Sequence, residues 1–245
     1  MSRFRSFLCV TGLVLVLGLK PVVRHTLMIR FRNCVGNRPL SLAGEIYSNS
    51  FGEPFSVQQV KYYISLVRVG AGDERGDLGG NGDGEGSEVL MKEAHLVDEG
   101  DSSSLVLHLS TTLEKIRTIS FVVGVDSLAN TGGVQGGDLD PMLGMFWTWN
   151  TGYVYARLEG ESDSAHAPAH RFTWDIGGYK GPSNALRTVT LEVGAGKVIT
   201  ITADILKWFD GKSPVHLASS PVCHQPGVLA MRIADNYSTM FSVAP

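Results

Sequence analysis

Residues 144–153 read GMFWTWNTGY and hold two of the four tryptophans in the chain. Trp147 and Trp149 stand two positions apart, a spacing that puts both indoles on one face of a strand. Each indole needs a large apolar slot and a partner for its N–H, so the pair predicts an aromatic patch on a strand. Two interpretations stay open: the indoles build core, or one of them lines a metal pocket.

Segments rich in β-branched and aromatic residues, bounded by Gly, Asn or Asp, recur along the chain and predict strands. They lie at residues 25–31, 57–69, 104–109, 116–123, 153–158, 170–176, 186–193 and 198–203. Helical periodicity is limited to a turn near residues 205–209 and to a helix after Pro226, with Val228, Leu229, Ile233 and Ala234 on one face. The sequence therefore predicts an all-β fold: an antiparallel β-sandwich with long loops and a short C-terminal helix.

One glycine- and acid-rich segment, DERGDLGGNGDGEG at residues 73–86, separates two predicted strands. It lacks the ligand order of an EF-hand or a nonapeptide calcium repeat. We expect a solvated hairpin insertion and not a domain boundary.

The first residues indicate export. Arg3 and Arg5 precede an apolar run from Phe7 to Leu19, which is typical of a secretory signal and shorter than a bilayer span. We expect residues 1–24 to be a signal peptide or N-terminal anchor, and residues 25–245 to form a single periplasmic or extracellular domain that meets the membrane only through that segment.

Beyond Cys9, two cysteines remain, Cys34 and Cys223. In an exported protein they most simply form a disulfide that ties the ends of the domain together. The alternative is a pair of soft metal ligands with the neighbouring His224, although no CxxC or HxxH spacing accompanies it.

Composition and motifs exclude several classes of function. The formal net charge is −3 and no Lys/Arg run occurs, so a nucleic-acid-binding surface is not expected. No nucleophile elbow, Walker loop, dinucleotide fingerprint or HExxH is present, and the chain is not expected to be an enzyme. An acid/base hydrolase with two convergent carboxylates is the remaining catalytic alternative. His166 and His170 are most simply solvent-exposed loop residues, and His95 and His224 are most simply hydrogen-bonding residues, because copper or zinc needs several imidazoles to converge.

The ordered segments of this chain resemble the MbnP-like copper-binding domain family. They begin with EIYSN at 45–49, GEPFSV at 52–57, KYYIS at 61–65 and HLVD at 95–98. They continue with GVDS at 124–127, LDP at 139–141, the tryptophan block, LEG at 158–160, IGG at 176–178 and NYSTMF at 236–241. The resemblance spans residues 26–243.

This resemblance implies an extracytoplasmic β-sandwich that sequesters or delivers copper. Family members hold Cu(I) with histidines near a tryptophan oxidised to kynurenine, and a di-haem peroxidase-like partner performs that oxidation. Trp147 or Trp149 would be the modified or pocket residue here. The alternative is a metal-free structural or interaction module of the cell envelope that has lost its copper ligands.

The expected ligand positions depart from the family pattern. Asp175 stands where the family's His-(Leu/Ile)-Gly is expected, and Asn33 where a first-strand histidine is common. Both replace nitrogen donors with oxygen, which Cu(I) disfavours. The resemblance thus gives Asp175 as a metal ligand, with His170 or His224 supplying nitrogen from a neighbouring loop.

Overall fold

A single long strand, β4, organises the larger of two β-sheets. The structure is a computed structural model that describes residues 22–72, 86–148, 152–194 and 196–244. Within these residues the strands are β1 (His25–Val35), β2 (Arg38–Pro39), β3 (Tyr47–Ser48), β4 (Pro54–Gly70), β5 (Ser87–Met91), β6 (His95–Asp98), β7 (Val106–Thr111), β8 (Thr118–Val123), β9 (Phe146–Thr148), β10 (Gly152–Glu161), β11 (Arg171–Gly177), β12 (Arg187–Glu192), β13 (Val198–Asp204), β14 (Val222–Cys223) and β15 (Phe241–Val243). The helices are α1 (Ser127–Thr131), α2 (Lys207–Asp210) and α3 (Val228–Tyr237).

The two sheets form a sandwich, as predicted. In the described part of the chain, the larger sheet has ten strands in the order β12-β8-β4-β10-β11-β14, with β3, β5 and β6 also paired to β4 and β9 to β10. The smaller sheet has five strands, β15-β13-β1-β2, with β7 also paired to β1. Within the described residues the pairings are antiparallel, as predicted, except for β1 with β13 and β11 with β14, which are parallel.

The alternation of side chains along β1 shows how a strand of the smaller sheet contributes to the core. In β1 the side chains of Leu27, Ile29 and Phe31 are buried, while Arg30 and Arg32 are exposed. Burying one such apolar side chain contributes about 1.5–3 kcal/mol.

Aromatic rings fill the middle of the core. The indoles of Trp174 on β11 and Trp208 on α2 stack with a centroid distance of 6.5 Å and an interplanar angle of 12°. The short helical turn predicted near residues 205–209 is confirmed as α2. It brings the Trp208 ring against Trp174, on a strand of the larger sheet.

The C-terminal helix is confirmed, and its predicted apolar face faces the core except at Val228: Ile233 and Ala234 are buried, and Leu229 packs against the core. Ala230, Ile233, Ala234 and Tyr237 of α3 are buried, whereas Val228 is 72% exposed. Val228 is the first residue of the helix and follows Gly227.

Two sequence-based predictions concern segments that lie outside the described residues or border them. The strands that flank the glycine-rich segment pair antiparallel, with Gly70 opposite Ser87, as a hairpin insertion requires. Residues 73–85 themselves, and residues 1–21 of the predicted signal or anchor, lie outside the described residues. No helix in the described ranges has the length and apolarity needed to cross a bilayer.

A buried carboxylate joins the start of β4 to a distant loop. Glu53 accepts hydrogen bonds from the side-chain amide of Asn49 (2.7 Å) and from the backbone N–H groups of Leu217 and Ala218 (3.0 Å each). Burial raises the pKa of Glu53, but these hydrogen bonds outweigh it and lower the pKa below the ordinary value of 4.5. The ionised carboxylate therefore stabilises the fold.

We predict that Glu53→Gln lowers the free energy of unfolding at neutral pH by about 1–3 kcal/mol, because the new amide NH₂ faces donors that need an acceptor. A carboxyl whose folded-state pKa is depressed contributes stability above its unfolded-state pKa and loses it as pH falls through the folded-state value. The difference in the free energy of unfolding between wild type and variant should therefore become smaller below about pH 4. Urea unfolding from pH 7 to pH 3 measures it.

The control is Glu192→Gln, because Glu192 is exposed. If Glu53→Gln were no less stable than this control at pH 7, the role assigned to Glu53 would be wrong.

Candidate functional site

The candidate site lies on the face of β11 that points away from the core. Phe172, Trp174 and Ile176 alternate along this strand and are buried in the hydrophobic core. Because successive side chains of a strand point to opposite faces, Asp175 and Gly177 project from the other side. Trp147, Arg157 and His224 contact these two residues on that side.

The central contact of the site is an ion pair between neighbouring strands. Asp175 is directly opposite Arg157 in the β10–β11 register. The Arg157 guanidinium donates from Nε to Oδ1 (2.5 Å) and from Nη2 to Oδ2 (3.0 Å), and its Nε is 3.3 Å from Glu159 Oε1. The Asp175 side chain is only 7% exposed. Both carboxylate oxygens are therefore held by one guanidinium.

The charge of Arg157 is secured by the same contact. Burial lowers the pKa of Arg157, but the hydrogen bond and negative charge of Asp175, together with Glu159, raise it overall. The guanidinium stays positive, and the charge of Asp175 is compensated at close range.

His224 completes a chain of three polar side chains. The parallel pairing of β14 with β11 sets Cys223 opposite Trp174, which brings the next residue, His224, beside Asp175. Nδ1 of His224 is 3.3 Å from Asp175 Oδ2, and the side chain is 51% exposed. A carboxylate that accepts the Nδ1 proton leaves the Nε2 lone pair free for a ligand, an arrangement common in metal sites.

Trp147 forms the aromatic wall of the site. A Cβ atom placed on Gly177 would lie 3.0 Å from Cζ3 of the Trp147 indole and 3.2 Å from its Cη2, so the ring lies on the bare backbone of Gly177. Trp147 is partly buried, and on β9 it follows Phe146, whose ring packs edge-on against Tyr153 at a centroid distance of 4.9 Å. Trp149 lies outside the described residues.

The structure brings together some of the predicted ligands and not others. Asp175 and His224 are in contact, but His170 is exposed in a turn before β11, five residues from Asp175 and about 17 Å away at strand spacing. Across the described ranges no three His, Cys, Asp or Glu side chains are grouped to hold a metal ion.

Two other predicted positions have structural partners. Both ring nitrogens of His95 are engaged, Nδ1 with Asp138 (2.8 Å) and Nε2 with the Ser104 carbonyl (2.7 Å). The Asn33 amide donates to Glu99 (2.7 Å), and its oxygen accepts from the Tyr62 hydroxyl (3.0 Å).

Sequence reasoning missed Arg157, the residue that controls Asp175. Nothing in its local sequence marks it, because its role arises only from the register that sets β10 against β11. A charged residue that directly precedes the LEG segment on a predicted strand is the one available signal.

The predicted disulfide is not present in the structure: Cys34 and Cys223 are free, buried thiols. They belong to different sheets, with Cys34 on β1 opposite Asp204 and Cys223 on β14 opposite Trp174. Burial, followed by the charge of Asp204, raises the pKa of Cys34 to about 11. Burial is also the largest cause that raises the pKa of Cys223 to about 11. Both are therefore protonated thiols at neutral pH.

Fold and site together define a β-sandwich domain with an exposed imidazole, oriented by a carboxylate and flanked by tryptophan. The sequence profile of the MbnP family matches residues 24–225, and the chain belongs to that family. Among solved structures, MbnP from Methylosinus trichosporium is similar in fold, with a TM-score of 0.56 and 12% sequence identity over 85% of this chain and 84% of that one. None of the curated proteins compared with the chain matches it.

We predict that Arg157→Met lowers the free energy of unfolding by about 3–5 kcal/mol, because it leaves the buried Asp175 carboxylate without its counter-charge. The double variant Arg157→Met/Asp175→Leu should recover much of that loss. Urea denaturation measures both. Arg171→Met, at an exposed arginine of β11, is the matched control, and a single variant no less stable than this control would contradict the assignment.

We also predict that Cys34 and Cys223 resist a thiol-specific disulfide reagent in the folded protein and react fully in denaturant without any reductant. Burial and the raised pKa both suppress the thiolate form that reacts. The measurement uses the Cys9→Ser chain, so that only these two thiols are counted. Denatured protein that yields no thiol until reductant is added would instead reveal a disulfide.

Proposed function

We propose that this chain is an exported copper-binding protein of the MbnP type, which sequesters or delivers the metal and has no catalytic activity of its own. The observation that carries the proposal is the His224–Asp175 contact beside Trp147. Imidazole nitrogen is a common copper ligand, and His224 is the half-exposed imidazole of the site.

We propose a role for each residue of the site, supported by its contacts. His224 is the nitrogen donor. Asp175 is a positioning residue and not a ligand, because Arg157 holds both of its oxygens. Trp147 covers the backbone of Gly177, so its ring is fixed where it would limit access of water to one side of a bound ion.

This donor set bears on the oxidation state and strength of binding. A single imidazole donor suits Cu(II) better than Cu(I), which prefers several nitrogen or sulfur ligands. We therefore propose a site of modest affinity, more suited to a labile cargo than to permanent storage. Trp147 or Trp149 is the proposed target of oxidation by a di-haem peroxidase-like partner.

The test is a chelator-competition titration of the exported protein with Cu(I) and with Cu(II), for wild type, His224→Ala and His170→Ala. We predict that His224→Ala weakens Cu(II) binding at least tenfold, because it removes the nitrogen donor. His170→Ala, at an exposed histidine in the turn that precedes β11, should bind as wild type does. Equal affinities for wild type and His224→Ala would refute the site.

Intact-mass analysis of protein from its native envelope tests the tryptophan oxidation separately. A mass that matches the unmodified processed chain would exclude kynurenine, while leaving the copper titration as an independent result.

A second candidate is a metal-free interaction module of the cell envelope. Arg157 favours it, because a guanidinium already neutralises the carboxylate where a metal would otherwise be expected. Leu128 and Met142, which are 82% and 89% exposed, supply apolar surface on the segment before Trp147. A folded, exported protein that binds neither oxidation state of copper would favour this candidate over the first.

A further inference from the structure

A cavity lies outside the candidate copper site and shares no residue with it. The cavity has a volume of about 580 Å³, within the range of roughly 300–1,000 Å³ that small-molecule pockets occupy. Its walls come from the start of β1, the connection between β7 and β8, and residues 193, 194, 196 and 197 between β12 and β13.

Apolar side chains from all three segments form the inner wall. Leu27, Ile116 and Val193 belong to the hydrophobic core, and Leu113 packs against it. The cavity is therefore a gap at the edge of the sandwich where core side chains meet solvent, and it offers contact to the apolar part of a ligand.

Cationic side chains surround this apolar wall. Lys115, Arg117 and Lys197 line the cavity and are exposed, whereas Glu114 is the one acidic residue among the lining side chains. This local excess of positive charge occurs in a chain with a formal net charge of −3. A rim of one sign attracts ligands of the opposite charge.

We propose that this cavity binds a free alkyl carboxylate of medium chain length, with its tail against Leu27, Leu113 and Ile116 and its carboxylate near Lys115 and Lys197. An apolar wall inside a cationic rim matches the two halves of such a molecule. The site is independent of copper binding, and its test does not depend on the metal.

The test displaces a fluorescent dansyl-labelled undecanoic acid from the metal-free protein, below the micelle concentration of each competitor. Dodecanoate should compete at least tenfold better than dodecyltrimethylammonium, which has the same tail and the opposite charge, and at least tenfold better than butyrate, which has the charge without the tail. Equal competition by the cation would show that charge plays no part, and the proposal would fall.

The charge-reversal variant Lys115→Glu/Lys197→Glu should weaken dodecanoate binding at least tenfold, because two attractive charges at the rim become repulsive. Lys212→Glu is the control, because Lys212 is exposed and follows α2, beyond the end of β13 opposite to Lys197. Unchanged binding in the double variant, or no binding of the labelled acid to wild type, would overturn the proposal.

Discussion

The ion pair between Arg157 and Asp175 is the interaction on which the rest of the site depends. It lies where β10 and β11 face each other, and Asp175 is almost completely removed from water. An isolated buried carboxylate would be very costly, so Asp175 can occupy this position only because a guanidinium opposes it. That pairing leaves Asp175 able to orient His224 and unable to act as a free ligand.

Backbone geometry supplies the other constraint. The Trp147 ring lies directly on Gly177, and a Cβ atom at that position would meet the Tyr153 carbonyl oxygen of β10 at 2.5 Å as well as the indole at 3.0 Å. The site therefore needs both a residue without a side chain at position 177, which leaves room for the indole, and a carboxylate at position 175. Both residues are on one face of β11, so a single strand positions the aromatic wall and the polar partner of His224.

The long strands and the C-terminal helix were predictable because their patterns are local. β4 was predicted at residues 57–69 and runs from Pro54 to Gly70. Where local signals compete, the boundaries moved: β7 was expected to begin at Ser104, but Asp101 accepts the N–H of Ser103 and caps a short 3₁₀ turn there.

Pairing partners were not predictable from local patterns. The parallel pairing of β1 with β13 joins segments far apart in sequence, and β14 has only two residues whose strand character comes from their neighbour. The same holds for the candidate site, because its contacts depend on which strands pair. Trp147, Asp175 and His224 could be selected from the sequence, but the role of Arg157 and the separation of His170 follow from register alone.

The most direct test of this account is pulsed electron paramagnetic resonance of the Cu(II)-loaded protein, which counts the imidazoles bound to the ion through their remote nitrogens. The account predicts modulation from one imidazole, that of His224. A spectrum that requires two or more imidazoles, or none, would contradict it.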